Sequence, residues 1–218
     1  MKEIPGKVFS IAKDNPSIPG CTVSREIYGG ERNEITYFSL ADHTDISAEI
    51  YPYHKWLIVA AGRITVYGAD RNSITLAAGD SVLTETEIPV GIRTESGAVY
   101  TEISIGREDQ MNKAVKAGEV FKLADLVPYR EGRVVNMDVV HNDKMKFVVM
   151  AFDAGTGLSP HAAPGEALIF ALDGQAVIHY EGAEHTIRAG ENFHFAKGGL
   201  HAVKAAERFK MALLLTLE

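Results

Sequence analysis

Two histidines in the second half of the chain, His161 and His201, carry the residue type best suited to site chemistry. A pair of imidazoles can hold a borderline divalent ion when water or a carboxylate fills the remaining positions. Without a metal, the same pair can hydrogen-bond to a polar ligand group or to water. Two further residues are candidates to complete such a set. Glu166 follows Pro164-Gly165, which fits the centre of a tight turn, and leads into a strand that starts near Ala167. Side chains alternate along a strand, so a one-residue displacement normally turns Glu166 away from the face of Ala167, unless a bulge or the turn restores it. His194 lies in Asn192-Phe193-His194-Phe195. It replaces a lost ligand only if its face is an interior one.

The elements that must position these residues are short β-type runs, such as Ile35 to Phe38, Trp56 to Ala60, Phe147 to Met150 and Ala167 to Leu172. Turn signals separate them, among them Gly68-Ala69-Asp70, Pro164-Gly165, Asp173-Gly174 and Ala189-Gly190. The chain also repeats itself. Gly62 and Gly174 occupy matching contexts 112 residues apart, and that offset aligns Val8 to Tyr67 with the second half. After one deletion, Gly79-Asp80 pairs with Gly190-Glu191. Many short strands with regular turns predict an all-β fold of sandwich or barrel type. The charged, Ala-rich stretch from Glu108 to Ala117 predicts a short connecting helix stopped by Gly118.

The glycine framework and the spaced histidines resemble the cupin superfamily, and the duplication resembles a bicupin. Gly155, His161 and Gly174 fall on the first cupin motif; Gly190, Gly198 and His201 fall on the second. The resemblance implies two tandem antiparallel barrels of the jelly-roll type, residues 1–107 and 108–218, joined by the helical linker and packed on one another. It also implies that His161 and His201 meet at the mouth of the second barrel. The family's metal ligands are His, His, Glu or Gln, and His. Here Ala163 stands at the second histidine position and Ala167 at the carboxylate position, while Ala196 and Ala205 replace the family's proline and asparagine. In the first half, Glu49, Tyr51, Lys55 and Val90 occupy all four ligand places. No metal is therefore expected there; a sealed, structural barrel is the leading reading, and Glu49 and Lys55 are candidates for an ion pair across its mouth.

These readings place the working site in the second barrel. His161 and His201 are its candidate metal ligands, with Glu166 and His194 as candidates to complete the set, for one divalent ion such as Zn, Ni, Fe or Mn. Ala163 and Ala167 leave room for a small molecule, and Phe170, Phe193 or Phe195 supply an apolar wall. The leading expectation is a small-molecule-binding bicupin. A metal-dependent dioxygenase or isomerase and a sensor that recruits a partner are the alternatives, and catalysis is left open. The net charge of −7 and the absence of a Lys/Arg run argue against nucleic acid and anionic membranes as partners. No apolar stretch of membrane-spanning length occurs, and a single cysteine, Cys21, fits a cytoplasmic setting. Association through intrachain barrel pairing is expected, and a homodimer is compatible with it.

Overall fold

The computed structural model describes residues 1–30, 33–68 and 73–217. Ala69 and Asp70 of the expected turn after Gly68 lie outside the described residues. The first series of strands is β1 (Val8–Phe9), β2 (Thr22–Gly29), β3 (Glu34–Leu40), β4 (Thr44–Ile50), β5 (His54–Tyr67), β6 (Ser73–Ala77), β7 (Asp80–Leu83), β8 (Pro89–Thr94) and β9 (Ala98–Ile105). The second is β10 (Gln110–Met111), β11 (Val120–Lys122), β12 (Val134–His141), β13 (Met145–Phe152), β14 (Gly157–Ala162), β15 (Glu166–Tyr180), β16 (Ala183–Arg188), β17 (Asn192–Phe195), β18 (Leu200–Lys204) and β19 (Phe209–Thr216). A single helical turn, α1 (Ile11–Asp14), follows β1, and a 3-10 turn at Leu123–Asp125 follows β11.

All the pairings are antiparallel, and the strands form two curled sheets. One runs β1-β17-β15-β19-β13-β12-β10, with β14, β16 and β18 attached; the other runs β11-β7-β5-β9-β3-β2, with β4, β6 and β8 attached. The long strands β5 and β15 do the curling. Residues 54–62 of β5 pair with β9, and its later residues pair with β6 and β8. The register slips between Val59 and Ala61, and between Ala171 and Asp173 in β15. Gly62 and Gly174 sit just past these slips, with φ of 72° and 67°. A Cβ on Gly174 would lie 1.9 Å from the Arg208 carbonyl oxygen, and one on Gly62 would lie 2.1 Å from that of Gly97. Only glycine tolerates both the left-handed backbone and the close approach.

The edge strands cross between the halves. Val8 and Phe9 pair with Phe193 and Asn192, whereas Val120 to Lys122 pair with Val82 to Asp80. Each curled sheet wraps an apolar core of its own, Leu57, Ile64 and Tyr100 in the first and Ile169, Ile178 and Phe193 in the second. A third core lies between them and takes Trp56, Phe147, Ile11 and Leu123 from both halves. Trp56 and Phe147 meet there with ring centroids 4.4 Å apart.

The expected helix from Glu108 to Ala117 does not form. The stretch is a chain of turns around β10, which pairs with β12. Its own short polar side chains explain this. Asp109 accepts from the Gly106 amide, and Asn112 accepts from the Ala114 amide. Such bonds compete directly with helical ones. Val115 turns inward and is buried.

Candidate functional site

Strands β14 and β18 bring the two histidines face to face. The pair is antiparallel, slips register between Leu158 and His161, and then sets His161 directly opposite His201. Their ring centroids are 4.2 Å apart at an interplanar angle of 55°. Phe195, from β17, stacks on His201 at 4.0 Å and 22°. His201 is buried and His161 exposed. The His161 Nδ1 is 2.8 Å from the Ser159 carbonyl oxygen, and the His201 Nδ1 is 3.0 Å from that of Gly199. A carbonyl oxygen can only accept, so each Nδ1 carries the hydrogen. In the neutral ring, Nε2 is then a bare acceptor. Burial lowers the pKa of His201. The bond to Gly199 works against that, and the neighbouring His161 lowers the pKa further.

Both histidines line a cavity of about 250 Å³. Ala163 and Ala167 line it too, as their small size led one to expect. Its walls are mainly apolar, with Val148 and Met150 from β13 and Leu213 and Leu215 from β19. Asn136, Asp138 and Lys146 add polar groups, and the Lys146 ammonium lies 2.9 Å from the Asp138 carboxylate. These wall and rim residues escaped the sequence reading. The signal was present in period two, since Lys146, Val148 and Met150 share one face of β13.

The other expected site residues lie elsewhere. Glu166 takes the face opposite Ala167, as strand alternation requires. One carboxylate oxygen accepts from the Met1 ammonium, and the other is 3.6 Å from His194 Nε2. His194 is fully buried, and its Nδ1 bonds to the Glu3 carbonyl oxygen at 2.8 Å. Burial lowers its pKa, with the Glu3 bond opposing. Glu166 and His194 therefore belong to a group that pins the N-terminal segment, and they do not join the histidine pair. Phe170 lines a separate cavity of about 150 Å³ beside Ile11, Ile58 and Leu123. Phe193 packs in the second core against Tyr180 and Phe195, at 5.7 and 5.1 Å.

The first half has a cavity of about 260 Å³ at the corresponding place, lined in part by Tyr51, Lys55 and Glu102. The Lys55 ammonium is 3.1 Å from Glu102, and their side chains are 8% and 14% exposed. It also sits 3.7 Å from the centroid of the Tyr51 ring. The expected partner of Lys55, Glu49, instead accepts from the Tyr51 hydroxyl at 2.9 Å. Strand alternation accounts for the exchange: Glu102 points inward from β9 beside the buried lysine, while Glu49 stays exposed on β4. Val90 pairs with Glu49 across β4 and β8 and is buried in the first core.

Residues 148–217 match the model of the cupin domain family. A cupin 2 conserved barrel domain protein from Leptotrichia buccalis superimposes with a TM-score of 0.86 at 26% identity, over 99% of this chain and 98% of that one. The chain has a cupin fold. Salicylate 1,2-dioxygenase from Pseudoaminobacter salicylatoxidans matches this chain with a TM-score of 0.61 at 10% identity, over 88% of this chain and 73% of that one. Oxalate decarboxylase from Bacillus subtilis matches at 0.52 and 12%, over 98% and 78%. These two similarities carry the fold alone. No functionally curated protein matches the sequence. No helix among the described residues is long and apolar enough to cross a membrane.

The metal that cupin resemblance implies fits this donor set poorly. Among the described residues, no group of three or more His, Cys, Asp or Glu side chains is placed to hold an ion. His161 and His201 offer two ligands, where catalytic zinc sites use three and structural ones four.

Proposed function

We propose that the chain is a bicupin whose second half, residues 108–218, binds a small molecule, while the first half, residues 1–107, is structural. The matching positions of β5 and β15, of Gly62 and Gly174, and of the two cavities support the duplication. The observation that carries the binding role is the facing pair His161 and His201 on a mainly apolar cavity of about 250 Å³. A few convergent polar groups in an apolar pocket are the usual make-up of a small-molecule site. The volume is below the ~300–1,000 Å³ of sites for drug-sized ligands, which suits a single ring or a short chain. With two protein ligands at most, the binding role is assigned without a metal, and the dioxygenase and decarboxylase activities of the structural neighbours are not transferred.

The test is a fragment screen by thermal shift, run on the wild type and on the His161→Ala, His201→Ala double variant, with elemental analysis of both after metal supplementation. A ligand at 100 times its Kd should stabilise the wild type by ~2.7 kcal/mol and leave the variant unmoved. Fragments that stabilise both proteins equally count against the site. Metal retained only by the wild type restores the metal-dependent alternative.

A further inference from the structure

The two Nε2 atoms are the chemically decisive feature of the cavity. Each Nδ1 is committed to the carbonyl oxygen two residues before it, Ser159 for one ring and Gly199 for the other. The neutral pair therefore presents two acceptors side by side and no donor. Neither Nε2 has a hydrogen-bond partner among the described residues. Around them, Ala163, Ala167 and Leu213 offer nothing polar. The other polar lining groups are Asn136, Lys146 and Asp138, of which the last two are bonded to each other.

We infer that the cavity selects a small, uncharged molecule that carries a hydroxyl on an apolar body, with the hydroxyl hydrogen given to the His161–His201 pair. This rests on the binding role assigned to the second half. An ether of the same size covers the acceptor of the buried His201 and gives it no donor, and a site built around a hydrogen bond rejects the analogue that cannot make it. A carboxylate brings only acceptors, and at the histidine pair it meets lone pairs.

Two isomeric probes separate this from simple apolar binding: 4-methylphenol, which donates, and methoxybenzene, which only accepts. Titration at pH 8 in the presence of a chelator should give at least ten-fold tighter binding of 4-methylphenol. Equal affinities, both lost in the His161→Ala, His201→Ala variant, overturn the donor preference and leave the binding site standing. Affinities unchanged in that variant overturn the site itself along with the preference. Failure of both probes to bind overturns the hydroxyl class. His161→Leu keeps the bulk of an exposed residue and guards against misfolding of the double variant; it should narrow the preference toward parity. A long-range proton–nitrogen spectrum reads the rings directly. Both should carry the hydrogen on Nδ1, and a hydrogen on Nε2 overturns the inference whatever the affinities are.

Discussion

Strands β5 and β15 each send one side chain into the cavity of their half, Lys55 into the first and Ala167 into the second. Strands β9 and β19 send two each, Glu102 and Ser104 into the first and Leu213 and Leu215 into the second. The volumes are close, about 260 and about 250 Å³. The chemistry is opposite. In the first half a buried lysine spans a carboxylate and an aromatic ring, which leaves one Glu102 oxygen buried without a hydrogen-bond partner among the described residues. In the second half the equivalent places are apolar, and two imidazole acceptors are left without partners. One backbone thus supports an ion-paired interior and a mainly apolar one, and the choice lies in a handful of inward positions.

Lys55→Met should break the first half most severely. It leaves Glu102 buried without its cation, and losing one partner of a buried pair costs ~3–5 kcal/mol. Adding Glu102→Leu should recover most of the loss in a urea denaturation series. Burial already raises the Glu102 pKa, with Lys55 holding it down. The deficit of the single variant should therefore shrink as pH falls and the stranded carboxyl takes up a proton.

Gly62→Ala and Gly174→Ala test whether the halves are built alike. Each places a Cβ against a carbonyl oxygen at a left-handed residue. Each should cost ~2 kcal/mol or more, above the usual single-substitution effect of ~1. A cost confined to one of them would break the equivalence of the halves.

The comparison sharpens if the first interior is moved into the second. Ala167→Lys with Leu213→Glu should fill the second cavity with an ion pair and weaken 4-methylphenol binding at least ten-fold, ~1.4 kcal/mol, by calorimetry.

Acid should act on the second half through its buried histidines. His194 and His201 both have pKa values lowered in the folded state, so the unfolded chain binds protons first as pH falls below ~6.5. Stability should drop from there down to the lowered pKa values. His194→Phe should flatten part of that slope in thermal melts between pH 5 and 8. The smallest effect belongs to His161→Ala. As an exposed residue it should change stability by less than ~0.5 kcal/mol while narrowing the hydroxyl preference.

The repeat of glycines and strands made the all-β fold legible, because turns and alternation are local signals. Ala163, Ala167 and the histidine pair followed from motif spacing. The cavity walls on β12, β13 and β19 did not, since only the sheet's curvature brings Asn136, Met150 and Leu213 toward β14 and β18. The role of Glu166 and His194 was hidden for a related reason. Their partners are Met1 and Glu3, more than 160 residues away in sequence. Lys55 chose Glu102 over Glu49 because inward direction on a strand outweighs nearness along the chain. The helix expected at 108–117 failed on side-chain competition that composition does not reveal.

The exchange of edge strands has a consequence for synthesis. Val8 and Phe9 leave the ribosome more than 180 residues ahead of their partners, Asn192 and Phe193. A chain made in order must hold that segment undocked until β17 has emerged. The first sheet likewise waits for Val120 to Lys122 before β7 gains its outer neighbour. Truncation after residue 107 should therefore leave a half with one bare edge and one stray strand, prone to pairing with another copy. The two halves supplied as separate chains should instead complete each other, each lending the strand the other lacks.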